Sequence, residues 1–117
     1  MERNYPEHLE HLRALTSRMS RELSGPMSGF AQLHQKSMGD GALSAKVKEL
    51  LALAISIAVR CDGCITYHVN GALRAGASHE EIVETIGVAI MMGGGPGAVY
   101  AAEAFEALEQ FEASGPR

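Results

Sequence analysis

Two cysteines and a histidine stand within the nine residues RCDGCITYH, positions 60 to 68. Cys61 and Cys64 are three apart, and His68 follows four after the second cysteine. Such a pair can cycle between dithiol and disulfide, supply two ligands to a metal, or be two buried thiols at helical spacing. On a helix, positions three and four apart share a face, so the three side chains would form one stripe. His68 would lie one turn below Cys64, in reach of its sulfur, and about two turns, roughly 10 Å, from Cys61. The reactive species is the thiolate, and a thiol with a pKa of about 8.5 supplies little of it at neutral pH. An imidazole nearby can take that proton, and the free N–H groups of the helix's first turn favour the anion. This asymmetry makes Cys64 the base-assisted, more buried thiol. Cys61, at the helix mouth, closes the disulfide and meets external thiols. The opposite order, with the first cysteine attacking, is found in thioredoxin-like sites and gives the same overall chemistry.

Zinc is the rival use of these residues, because C-x-x-C with a histidine supplies three ligands. A structural site needs a fourth. The next histidine, His79, lies beyond Gly76 in a different turn, and no second C-x-x-C or H-x-x-x-H exists. Neither a metal nor any other cofactor is therefore expected.

The elements around this segment read as helices, with no convincing alternating strand. PEHLEHLRALTSRMSREL places Leu9, Leu12, Leu15, Met19 and Leu23 at three- and four-residue steps, one stripe of an amphipathic helix. Gly25-Pro26 ends it. A second helix, MSGFAQLHQKSM, should turn Met27, Phe30, Leu33 and His34 inward, and GDG at 39 to 41 stops it. Ser44 caps a third, AKVKELLALAISIAVR, whose second half is apolar nearly all round and must be covered within the subunit or by another. A fourth runs from Asp62 to a left-handed cap at Gly76. SHEE at 78 to 81 has capping-box form and launches a fifth with Ile82, Ile86 and Ile90 inward. MMGGGPG interrupts the apolar run that follows, so a sixth helix should resume near Pro96. The tail ASGPR should fray. The expectation is an all-α fold, one compact bundle of about six helices in a single domain over 1–117, with more apolar face than one small domain can cover.

Composition narrows the function classes. The net charge is −4 and no long basic run appears, which argues against a nucleic-acid surface. The apolar runs fall short of the roughly 20 residues that span a bilayer, and MERNYPEHLEHLR has no signal-peptide core. A cytoplasmic protein is expected. In a reducing compartment a close cysteine pair is more often catalytic or metal-binding than a staple.

ELLALAISIAVRCDGCITYH resembles the E-x(11)-C-x-x-C-x-x-x-H signature of the alkyl hydroperoxidase D-like proteins of the carboxymuconolactone decarboxylase-like superfamily. Glu49, twelve before Cys61, stands where that signature has its glutamate. The flanks GALSAKVKELLALAISIA and GALRAGASHEEIVETIGVAIMMGGGPGAVYAAEAFEAL extend the likeness over about residues 27 to 111. The resemblance implies that Cys64 reacts with a hydroperoxide and Cys61 resolves it as a disulfide. It makes Glu49 and His68 a proton relay, and gives an all-helical homo-oligomer, a trimer or hexamer. A dithiol, either a lipoylated protein or a thioredoxin-like reductant, would restore the thiols. One departure is Gly63, where the best-known members carry a histidine; it leaves a shorter relay.

By pattern alone Glu49 is a solvated charge that could pair with Lys46 or Lys48. A relay role needs the chain to bend near Arg60 and bring its carboxylate beside the next helix. Among the other histidines, His8 and His11 read as surface residues, and His34 and His79 as helix-face residues that could line the site or a subunit contact. Tyr67 and Tyr100 read as boundary packing, and Met91-Met92 as core, interface or an apolar lining. Two other functions remain open: a lactone decarboxylase of the same superfamily, which does not rely on C-x-x-C, and a non-enzymatic oligomeric redox sensor.

Overall fold

The structure, a computed structural model, describes residues 3–117. All of its regular structure is helical: α1 (Tyr5–Glu22), α2 (Ser24–Met38), α3 (Ala45–Ala58), α4 (Asp62–Arg74) and α5 (His79–Ser114). The span α5 holds two helical arms separated by a break at Gly94, and the second resumes near Pro96 as the sequence predicts. Gly94 alone leaves helical geometry, at φ 65° and ψ −149°, and Pro96 lies within the helix that resumes. In a straight helix Ala89 and Gly97 would be about 12 Å apart. Instead a methyl placed on Gly97 would sit 3.4 Å from the Ala89 carbonyl oxygen, so the two arms fold sharply against each other. By length and composition alone α5 could cross a membrane, but the bend returns it onto α3 and α4. The Gly94 conformation is one that side-chain-bearing residues avoid. Gly94→Ala should therefore lower stability by about 1–3 kcal/mol, read from chemical denaturation.

The caps fall where the sequence puts them. The Ser44 hydroxyl accepts from Val47 N, and Ser78 with Glu81 forms the complete capping box. Gly76, just past α4, has φ 92°. The α1/α2 break comes at Leu23, two residues before the Gly-Pro pair.

One core gathers Tyr5 and Leu9 from α1, Leu53 and Ile57 from α3, and Ile65, Val69 and Ala72 from α4. From α5 come Ile82, Ile86 and Ala89 before the bend, and Ala101, Ala104, Leu108 and Phe111 after it. The small alanines let the helices approach closely. Ile90, expected inside, is 38% exposed, while Ala89 beside it is buried.

The larger departure is the α1/α2 arm. Only the first turns of α1 reach the core; Leu15, Met19 and Leu23 further along the same stripe are exposed. No residue of α2 is buried. Phe30 and Leu33, expected inward, are 56% and 65% exposed, since α2 touches only α1 and α3 and has no helix over its apolar face. The radius of gyration, 14.2 Å, slightly exceeds the roughly 13 Å of a sphere-like chain this long, as a projecting arm requires. Leu51, Ile55 and Val59 add an uncovered stripe along α3. Met91 and Met92 are each 72% exposed and line no cavity described here.

The tail does not fray. Arg117 N donates to Asn70 Oδ1 at 2.6 Å, and the Arg117 side chain pairs with Glu10.

Candidate active site

Cys61 is the N-cap of α4, in extended backbone, and its sulfur accepts a hydrogen bond from Cys64 N at 3.2 Å. Its Cα lies 5.2 Å from that of Cys64 and the two are joined as a disulfide. That separation sits within the range a disulfide tolerates, so the pair can open and close without moving the helix. Both cysteines are half-buried, which removes the expected contrast between an open Cys61 and a sheltered Cys64. A difference remains in what they face: Cys64, and not Cys61, lines the largest described cavity, of about 850 Å³.

The chain reaches α4 through a tight reversal after α3. Arg60 takes φ 62°, a left-handed conformation that costs a non-glycine residue about 1–2 kcal/mol, and Cys61 N bonds back to Ser56 O at 3.0 Å. The reversal lays α4 alongside α3, and this brings Glu49 to His68. Glu49 Oε2 and His68 Nδ1 are 2.8 Å apart, with side chains 16% and 19% exposed. The lysines that could have neutralised Glu49 are engaged elsewhere: Lys46 Nζ with Glu81 at 2.9 Å and Lys48 Nζ with the Gly39 carbonyl at 2.6 Å. The Lys46 hydrogen bond, helped by Ser78 N, holds the Glu81 carboxyl below the usual carboxylate range. Glu49, Cys64 and His68 all line the same cavity. A carboxylate on Nδ1 fixes the imidazole tautomer and orientation, leaving Nε2 to exchange a proton.

Gly71 is a site residue that the sequence reading missed. A methyl there would lie 2.5 Å from Glu49 Oε2, 2.7 Å from Cδ and 2.9 Å from Oε1. The glycine is the hole into which the carboxylate fits. A glycine inside a helical pattern, three after a candidate relay histidine, was the signal available. Gly63 has a comparable explanation. A Cβ there would meet Leu12 Cδ1 at 3.3 Å, so α1 packs down where the family signature has its histidine side chain.

His8, expected on the surface, is half-buried instead, and its Nδ1 lies 2.9 Å from Thr66 Oγ1 on α4. Burial, with Arg3 nearby, lowers its pKa. Beside it Arg3 pairs with Asp62 at 3.0 Å, and Glu103 is pushed up by burial and by Asp62. Burial likewise raises the Tyr5 phenol. These groups pack α1 and α5 onto α4 and line neither of the cavities. His34 and Tyr67 line the Cys64 cavity, whereas His79 pairs with Glu112 on the surface and Tyr100 packs against the core. Among the described residues, no three His, Cys, Asp or Glu side chains gather to hold a metal ion.

The geometry can be compared with known proteins. A carboxymuconolactone decarboxylase family protein from Legionella pneumophila, solved in its apo form, superposes with a TM-score of 0.88 at 40% identity, covering 92% of this chain and 96% of that one. A second structure from Thermotoga maritima, also of that family, gives a TM-score of 0.72 at 34% identity over 76% of this chain and 92% of that one. An uncharacterized protein of Cupriavidus necator is 44% identical over 85 residues, 70% of this chain and 75% of its own length. The carboxymuconolactone decarboxylase family model matches residues 26–107. With the family model matching residues 26–107 and its helices superposing on two members, the chain belongs to the carboxymuconolactone decarboxylase family.

Proposed function

We propose that the protein is a thiol-dependent peroxidase of the alkyl hydroperoxidase D type. Its hydroperoxide substrate is reduced by Cys64 and Cys61, with His68 and Glu49 moving the protons. The observation that carries this reading is one cavity holding Cys64 of a disulfide-forming pair together with the Glu49–His68 hydrogen bond. The Thermotoga relative's description, with its suggested part in an antioxidative response, points the same way.

In the reduced protein His68 accepts the Cys64 proton, and Glu49 stabilises the imidazolium. The thiolate attacks one peroxide oxygen, the O–O bond breaks, and the departing alkoxide takes the His68 proton to leave as an alcohol. Cys64 becomes a sulfenic acid. The Cys61 thiol then attacks that sulfur, water leaves, and the disulfide forms. An external dithiol, lipoylated or thioredoxin-like, returns both thiols by exchange at Cys61. The exposed apolar faces of α2, α3 and α5 are read as contacts in a homo-oligomer, a trimer or hexamer, of a soluble cytoplasmic protein.

The test counts thiols before and after peroxide and follows turnover with several peroxides and dithiols. Loss of two thiols per chain, with steady-state peroxide consumption once dithiol is added, is the expected outcome. Thiols untouched by peroxide would defeat the reading and leave the decarboxylase. A disulfide that forms and changes the assembly without turnover would replace it with a redox sensor.

A further inference from the structure

The Glu49–His68 pair serves Cys64 and leaves the ionisation of Cys61 to other groups. Outside the cavity a charge cluster gathers at the cysteine turn. Gln110 of α5 pins the chain around Arg3: its Nε2 donates to the Arg3 carbonyl at 2.9 Å, and its Oε1 accepts from Tyr5 N at 2.7 Å. Arg3 is thereby delivered to Asp62, the residue that follows Cys61, with Nη1 3.0 Å from Oδ2. The second Asp62 oxygen, Oδ1, is buried and has no donor among the described residues. Against Asp62 stands the half-buried carboxyl of Glu103, from the arm of α5 after the bend, with the buried Tyr5 phenol behind it. Two carboxylates in contact are costly to ionise together, and a buried acceptor without a donor is costly too. One proton held between them relieves both costs, because Glu103 as the acid donates its O–H to Asp62. Burial and the Asp62 charge push the Glu103 carboxyl up, the direction that keeps this proton. With it, Arg3, Asp62 and Glu103 together are neutral; without it they carry one negative charge next to Cys61.

We propose that Asp62 and Glu103 share one proton beside the cysteine turn, and that the negative charge left when it departs holds Cys61 in its thiol form. Asp62 carries that charge to the sulfur, and Glu103 and Arg3 are positioning residues that act through it. For turnover this rests on the peroxidase reading, in which Cys61 must ionise to attack the Cys64 sulfenic acid. For the ionisation of Cys61 it does not.

The experiment uses reduced Cys64→Ser protein, which leaves Cys61 as its one thiol, and follows alkylation by iodoacetamide from about pH 4 to about pH 9. Adding Glu103→Gln fixes the cluster in its neutral state. The rate ratio of that protein to its parent should be near one at the acid end and rise to about tenfold around neutral pH, the factor of one pKa unit. The other ionisable groups near the cluster are Tyr5, His8 and His11 of α1 and Glu106 of α5. They are present in both proteins, so the ratio cancels their own titrations. Arg3→Gln removes the counter-charge and should slow Cys61 by a similar factor, most clearly at the acid end. Opposite signs mark a charge effect, whereas a loosened fold would expose Cys61 and speed both variants. If Glu103→Gln melts early, Asp62→Asn leaves α5 untouched and should give the same rise around neutral pH. A ratio that stays flat across the range, or two variants that both speed alkylation, would overturn the shared proton. These alkylations use no peroxide. If they come out as expected and no peroxide is turned over, the peroxidase reading falls and the control of Cys61 stands.

Discussion

The Cys64→Ser protein should consume no peroxide above the uncatalysed rate, whatever peroxide and dithiol are supplied. A serine hydroxyl is almost wholly protonated at neutral pH, and even as an alkoxide it forms no sulfenic acid, so the product that Cys61 must trap never arises. Loss to background is expected rather than the 10²–10⁴-fold loss that removes only a proton-transfer group. The Cys61→Ser protein should behave differently. Cys64 would still attack once, so one equivalent of peroxide per chain should disappear in a burst. The chain should then stall as a sulfenic acid that a carbon nucleophile can label. Because Cys64 lines the cavity and Cys61 does not, the geometry favours this order of attack. If the two variants exchanged phenotypes, with the burst in Cys64→Ser, the helix-mouth cysteine would be the attacker and the chemistry would otherwise stand. A burst in neither would remove peroxide from the reading altogether.

How much of this was legible in the sequence follows from the range of the forces involved. Caps and glycine stops depend on residues within one helical turn, so Ser44, Ser78 and Gly76 could be placed from local pattern. The face shared by Cys61, Cys64 and His68 follows from helical spacing alone. The contact between Glu49 and His68 is of another kind. It depends on Arg60 adopting a left-handed conformation, which nothing in an arginine announces, and only the family signature made the pairing an expectation. Helix periodicity marks an apolar stripe but does not say what lies opposite it, so the pattern assigns Phe30 and Leu33 to a core that α2 never reaches. The docking of Arg117 on Asn70 joins positions 47 apart through a single hydrogen bond, and no short-range rule anticipates that. Gly71 was hidden for the same reason. Its partner lies on another helix, and a glycine in a helix reads only as a weak point until the carboxylate that fills its place is seen.

Gly71→Ala should separate stability from activity. Replacing glycine by alanine within a helix stabilises it by about 1 kcal/mol on propensity alone. Against this stands the new methyl, 2.5 Å from Glu49 Oε2. A van der Waals contact needs roughly an ångström more than that, and the flexible carboxylate can yield it by swinging away. The displacement would carry Oε2 beyond hydrogen-bond range of His68 Nδ1, now 2.8 Å away. A hydrogen bond to a charged group is worth about 1.5–3 kcal/mol, so the helix gain offsets part of the loss and the melting temperature should fall by roughly 3–10 °C. Turnover has no such offset. An imidazole that loses its anchoring carboxylate loses both orientation and support for its positive charge, and peroxide turnover should fall by about 10²-fold. Glu49→Gln should show a loss of similar size. Because the glycine acts through the carboxylate, the double variant should be little worse than either single one, which a double-mutant cycle measures directly. A Gly71→Ala protein that melts normally and turns over at the full rate would show that the carboxylate on His68 has no part in the chemistry. Losses that multiply in the double variant would show that the glycine serves the site by some route other than Glu49.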